Sequence, residues 1–204
     1  MDSREVSGAV KVAPRRPVAD RRGDTRRQII DAAVLLMADQ GFSATSVEEI
    51  AAKAGVAKGS VYYNFGSKDE MFTAILTEGV ERLTDALRSA SAGREGARAL
   101  EALVTELLTQ IHANPSFAKL ITTETFRTGR HWQESIRLVR DDSMGAFADV
   151  VRRARPDLDA GFVGAAIFGA TLAAGLEWLV FQPERTFEDL RAAVLATMSG
   201  LMPA

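Results

Sequence analysis

The longest regular pattern in the chain runs from residue 68 to about residue 90. Phe72, Ile75, Leu76, Gly79, Val80, Leu83 and Leu87 recur at steps of three and four, the spacing of one helix face. About 24 residues at a rise of about 1.5 Å would span about 36 Å, enough to leave one domain and enter another. The patterns ahead of it are shorter. Ile29, Ala33, Leu36 and Met37 make a stripe over residues 25–40, with Asp24 placed to cap it. Gly41 stops that helix, and Phe42 folds back on the core just past its end. Ser46 and Glu49 read as a capping box for a helix over 47–54. Gly55 follows where a left-handed residue is needed, and Val56 fills the space beneath the turn. Residues 58–64 make a helix of barely two turns, which must be held by packing; Val61 and Phe65 are its inward anchors. Ser67 with Glu70 forms a second capping box, which launches the long helix.

Helical spacing continues to the end of the chain. Ser91, Ala92 and Gly93 interrupt it. Leu100, Leu103, Val104, Leu107 and Ile111 then mark a helix over 94–113. Asn114-Pro115 opens another to about residue 127, and Gly129 separates it from one over about 131–154. Arg155-Pro156-Asp157 is a connection. Residues 158–181 are apolar almost all round, Gln182-Pro183 ends that segment, and 186–201 closes the chain. No alternating run asks for a strand and no internal repeat is visible, so the fold class is all-α. Residues 1–23 carry prolines, basic pairs and few large apolar side chains. They read as a flexible basic tail, either an arm reaching for phosphates or simply a solvated segment.

Composition adds two points. Residues 1–68 hold 11 Lys and Arg against 8 Asp and Glu, whereas residues 69–204 hold 14 against 19. A basic front and an acidic back suggest that the front meets an anion. There is no cysteine, which removes disulfides, thiolate zinc sites and thiol catalysis and suits a reducing, cytoplasmic setting. No apolar core of a signal peptide opens the chain. Residues 161–181 are long enough to cross a membrane. Their many Ala and Gly residues contribute little to insertion and no Lys or Arg flank marks a topology, so a soluble helix buried on several sides is expected. Its Gly164, Ala165, Gly169, Ala170, Ala173 and Ala174 permit a close helix neighbour.

The front segments meet the needs of a helix-turn-helix. Ala51 is small enough for the crossing, Gly55 is free to take positive φ, and Val61 anchors the second helix on the first. That spacing also fits an ordinary helical corner. The polar face of Lys58, Ser60, Tyr62, Tyr63 and Asn64, on a helix too short to be needed for the core and followed by Lys68, favours a nucleic-acid contact. Lys58, Tyr63 and Lys68 are the phosphate-type candidates. Ser60, Tyr62 and Asn64 are the base readers, asparagine pairing well with adenine.

The stretch GFSATSVEEIAAKAGVAKGSVYYNFGSKDEMFTAIL closely resembles the DNA-binding domain of TetR-type (TetR/AcrR) transcriptional regulators, over residues 24–84. The resemblance implies a three-helix DNA-binding head (24–84, motif 47–66) joined by the long helix to a helical ligand-binding and dimerisation domain (85–204). It implies phosphate contacts near Thr45 and Ser46, groove contacts from Ala57, Lys58, Gly59, Ser60, Tyr62, Tyr63 and Asn64, and a phosphate-binding Lys68. Ala57 departs from the Ser or Thr common there, so a hydroxyl contact is lost. It also implies a homodimer through helices at about 158–181 and 186–201, double-stranded DNA with a palindromic operator as partner, and a small-molecule effector that releases a repressor. A DNA-binding activator or architectural protein without a ligand is the alternative.

A pocket is expected between the middle helices, with Phe117, Leu120, Ile121, Glu124, Phe126, His131, Trp132, Phe147, Phe168 and Trp178 as candidates. Each aromatic is equally at home in a core, and a surface position is the default for Glu124. His112 and His131 lack metal-ligand spacing, so neither a metal nor a cofactor is expected. With no P-loop, no G-x-S-x-G and no dinucleotide fingerprint, an enzyme using the rear pocket is the weaker reading.

Overall fold

The structure, a computed structural model, describes residues 18–125 and 133–201. Among the described residues there are nine helices and no strand: α1 Val18–Gln40, α2 Val47–Ala54, α3 Lys58–Phe65, α4 Lys68–Ser91, α5 Gly96–Ala113, α6 Pro115–Thr125, α7 Gln133–Ala154, α8 Ala160–Phe181 and α9 Phe187–Thr197. The all-α expectation is met. Of the expected flexible tail over 1–23, residues 1–17 lie outside the described residues, and residues 18–23 are corrected to the first turns of α1.

The front of the chain follows its local signals. Ser46 and Glu49 complete a reciprocal capping box: the Glu49 N–H donates to Ser46 Oγ at 3.2 Å and the Ser46 N–H to Glu49 Oε2 at 2.8 Å. Gly55 adopts φ 69° and ends α2. Three details differ from the pattern. The first helix begins at Val18, so Asp24 lies inside α1 and does not cap it. The run Ala19-Asp20-Arg21-Arg22 is rich in helix formers, and the exposed Gly23 costs only about 1 kcal/mol within a helix. The second capping box is half formed. The Glu70 N–H donates to Ser67 Oγ at 3.1 Å, but the Ser67 N–H is committed to the Phe65 carbonyl at 2.8 Å. A full box appears instead at Thr186 and Asp189, opening α9.

Two cores result. Ile29, Met37, Phe42, Ile50, Val61, Phe65, Phe72 and Ile75 fill the head, and Leu120 of α6 joins them. Leu87, Leu103, Leu107, Phe147, Val151, Ile167 and Val194 fill the rear. Helix α4 belongs to both: Met71 to Leu76 lie in the first and Leu87 in the second. Helix α6 packs on α1, while α7 packs on both α8 and α4.

Helix α8 is long and apolar enough to cross a membrane, yet only a third of its most apolar stretch is buried within the chain. The expectation of burial on several sides is therefore corrected. One side packs on α5, α7 and α9. Gly164 meets α7 so closely that a Cβ there would lie 2.6 Å from the Ala148 backbone nitrogen. The other side is an exposed stripe of Phe162, Ala166, Gly169, Ala170, Ala173 and Val180, broken by Glu177.

Candidate nucleic-acid interface and ligand cavity

Helix α3 turns Val61 and Phe65 inward, 2% and 6% exposed, and presents Tyr62 and Tyr63 outward at 44% and 71%. Lys58 shares the Tyr62 face, its Nζ 5.7 Å from the ring centroid. Ala57 precedes the helix in an extended conformation and offers no side-chain cap. No side-chain cap therefore covers the start of α3, though the Ser60 N–H already donates to the Ala57 carbonyl at 2.8 Å. Lys58, Gly59, Tyr62 and Tyr63 thus form one exposed surface.

Several residues expected to contact DNA already have partners within the chain. Lys58 forms an ion pair with Glu48 of α2. Hydrogen bonding to Lys58 holds the Glu48 carboxyl below its ordinary range, and the same bond raises Lys58. Thr45 is buried, 1% exposed, and its hydroxyl donates to the Gly41 carbonyl at 2.9 Å. Its side chain is therefore not placed as a phosphate ligand. Ser46 is engaged with Glu49 as the α2 cap. The Asn64 amide donates back to the Ser60 carbonyl at 2.7 Å, which engages one N–H of the group that would read an adenine. Lys68 donates from Nζ to the carbonyls of Phe42 (3.0 Å) and Thr45 (2.8 Å), and stands 4.4 Å from the Phe42 ring centroid. It fastens the α1–α2 loop to the start of α4, a role its place in the sequence did not announce.

Behind the head lies a cavity of about 1210 Å³, bounded by α1, α4, α5, α6, α7 and α8. Its interior is apolar, with Leu83, Ile111, Phe117, Met144, Phe168 and Leu172; the buried Ser143 hydroxyl, bonded to Thr84 at 2.8 Å, is a polar exception. Its rim is ionic, with Arg26, Arg27 and Asp31 from α1 and Glu78 and Arg82 from α4. Arg26 grips Glu78 through both guanidinium nitrogens, one at 2.9 Å from Oε2. That bond holds the Glu78 carboxyl below its ordinary range, and the nearby Arg82 charge adds to the effect. Arg26 also lies over the Phe65 ring, 5.0 Å from its centroid.

Of the expected pocket residues, Phe117, Ile121 and Phe168 line this cavity. The other described ones do not. Leu120 belongs to the head core. Phe147 is fully buried in the rear core, edge-on to Phe168 at 5.8 Å. Trp178 donates its indole N–H to the Arg185 carbonyl at 2.8 Å and stacks near His112 and Phe187, clasping the α8–α9 connection. Glu124 is fully buried rather than on the surface, and lies off the cavity wall. Phe126, His131 and Trp132 lie outside the described residues. Missed from the sequence were the walls contributed by α1 and α4, whose charged positions carry no pocket signature. Among the described residues no cluster of His, Asp or Glu could hold a metal.

A family model described as bacterial regulatory proteins, tetR family, matches residues 29–75. The uncharacterized HTH-type transcriptional regulator TtgW of Pseudomonas putida is 35% identical over 101 residues, 50% of this chain and 73% of TtgW. The chain belongs to the tetR family. Another relative is the HTH-type transcriptional repressor KstR2 of Rhodococcus jostii, 34% identical over 111 residues. That match takes in 53% of this chain and 54% of KstR2, so the chain spans about half the length of that relative. The likeness in fold extends beyond the head. The regulator FadR of Bacillus subtilis, solved in complex with stearoyl-CoA, superposes with a TM-score of 0.75 over 87% of this chain and 99% of FadR, at 19% identity.

Proposed function

We propose that this tetR-family chain is a ligand-responsive transcriptional regulator that binds a palindromic operator as a homodimer and, as a repressor, is released by a small-molecule effector. The observation that carries the reading is the shared wall. The cavity is bounded by α1 of the head and by α4, the helix that runs from the head core into the rear core. An occupant therefore bears on the elements that set the position of α3. A cavity of about 1210 Å³ with an apolar interior and an ionic rim suits an elongated effector with an apolar body and a polar end. The stearoyl-CoA held by FadR is of that shape.

Lys58, Gly59, Tyr62 and Tyr63 would meet DNA, and Ser60 and Asn64 would read bases once Asn64 leaves the Ser60 carbonyl. The exposed small-residue stripe of α8, with the exposed Ala192, Ala193 and Ala196 of α9, is the surface we assign to a second copy. A two-fold dimer would place two α3 helices about 34 Å apart, matching successive major grooves. Selection of bound fragments from the source genome, followed by footprinting, tests the reading. Two protected half-sites one helical turn apart, lost on adding a metabolite related to the neighbouring genes, are expected. Binding without sequence preference, or turnover of the metabolite by the protein, would overturn it. Enhanced transcription from the bound site would reverse the sign of regulation.

A further inference from the structure

We propose that Arg26 is the headgroup subsite of the cavity and its relay to the reading helix: a ligand with an anionic head on an apolar tail takes Arg26 from Glu78, and with it the stacking that Arg26 lends Phe65. The inference rests on the ligand-responsive reading above and adds which chemistry is recognised and through which residue it acts.

Three observations converge on one guanidinium. Arg26 and Glu78 both line the cavity rim, and each side chain is about one third exposed, 36% and 34%, so a headgroup emerging from the interior reaches them. The pair is two-pronged, the geometry in which a guanidinium also takes a carboxylate or phosphate. Glu78 thus stands where an acidic headgroup would bind. Arg26 and Arg82 both act on the carboxylate of Glu78, on a rim that also carries Arg27, Asp24 and Asp31. An incoming anion can take Arg26 while Arg82 continues to face Glu78. The interior beyond the rim supplies the apolar walls for a tail, with Leu83, Phe117, Phe168 and Leu172.

The relay follows from the third contact. Arg26 lies over Phe65, the C-terminal inward anchor of α3. The Arg26–Glu78 bond fastens α1 to α4 and holds the guanidinium on that ring. When the anion draws Arg26 toward the cavity, α1 loses its tie to α4 and Phe65 loses its cation. Both changes act on the seat of α3, the surface proposed to meet DNA. Glu78 is thereby a built-in competitor, and its strength sets how much ligand is needed.

The full chain is tested with palmitate, palmitoyl-CoA and hexadecanol as probes, by calorimetry and by release of a selected operator fragment. The expected result is that one or both acidic probes bind at least about ten-fold more tightly than hexadecanol. Palmitate alone assigns a carboxylate head, and palmitoyl-CoA alone a phosphate-bearing one. Arg26→Gln should bring the acidic probe to about parity with hexadecanol. It should also reduce the acid-driven fall in operator affinity, expected at about 5–150-fold for an allosteric coupling, to less than about two-fold. Glu78→Gln, which keeps Arg26, should tighten the acidic probe several-fold. This second variant guards against misfolding of the first, which thermal melts and circular dichroism would reveal. Hexadecanol binding and releasing DNA as well as palmitate would overturn the Arg26 assignment and leave the ligand-responsive reading standing. An unchanged acid affinity in Glu78→Gln would do the same. No binding by any probe would overturn the assignment, and release of the operator by some unrelated metabolite would then keep the broader reading alone.

Discussion

Lys58, in the first turn of α3, is held by Glu48, in the first turn of α2. The cation best placed for a phosphate is therefore already paired within the free protein, in an exposed pair, and changes partners on binding. Lys58→Ala should weaken binding to any DNA and flatten the dependence of log affinity on log salt by about one unit. Glu48→Gln should tighten binding and steepen the slope, because no carboxylate is left to recapture a cation. Anisotropy titrations on a non-operator duplex at several salt concentrations measure both, and equal slopes in all three proteins would count against the pairing.

Lys68 shows the opposite case, a cation spent on the fold. Its ammonium donates to the Phe42 and Thr45 carbonyls. Lys68→Met should lower stability by about 1.5–3 kcal/mol, the range for hydrogen bonds to a charged group. It should change the salt slope of DNA binding less than Lys58→Ala does. Urea unfolding and the same titrations separate the two effects.

The tip of the Phe117 ring sits against Gly79. A Cβ on Gly79 would lie 2.0 Å from the Phe117 ring. Gly79→Ala should force the ring out and cost about 1–3 kcal/mol, and Phe117→Leu in the same chain should recover part of that loss. A double-mutant cycle in urea gives the coupling between them, and simple additivity would show that the ring moves without strain.

The Glu78 carboxyl titrates lower in the folded chain than its ordinary value of 4.5, through its bond to Arg26. A lowered folded value means that the unfolded chain binds the proton more readily. The stability from the pair is fully present above the unfolded value and is lost as pH falls through the folded one. Glu78→Gln should therefore narrow the drop in melting temperature between pH 7 and pH 3. The effect should be modest, since both partners are about a third exposed and solvent screens them.

Phe162 is 81% exposed in the single chain, a large apolar cost unless another surface covers it. Phe162→Glu should leave the helical content intact and shift the protein toward monomer in equilibrium sedimentation. An unchanged dimer fraction would move the interface elsewhere.

The head was readable because its signals are local. A capping box needs residues three apart, and the Gly55 turn needs one flexible backbone. The same locality misled at Asp24, where a good cap residue sits inside a helix because the residues before it are helix formers. It failed for side-chain partners. Nothing in the residues near Arg26, Lys68 or Lys58 names Glu78, Phe42 or Glu48, which folding brings in from elsewhere in the chain. The Asn64 bond was not legible either, because a groove-facing amide can equally well bond the carbonyl one turn back. The pocket was legible only in part, since Phe168 on its wall and Phe147 and Trp178 off it look alike in an apolar pattern. Glu124 broke the expectation that a carboxylate seeks water.

Leu120 lies in α6, yet it is buried among residues of the head. A cut near residue 84 would thus remove a plug from the core it leaves behind. Chimeras that graft this head onto another family member's rear domain should inherit a hole unless the donor α6 offers a side chain of matching size. Over evolutionary time the two parts are then not free to be exchanged as modules: the reader and its sensor must drift together at this contact.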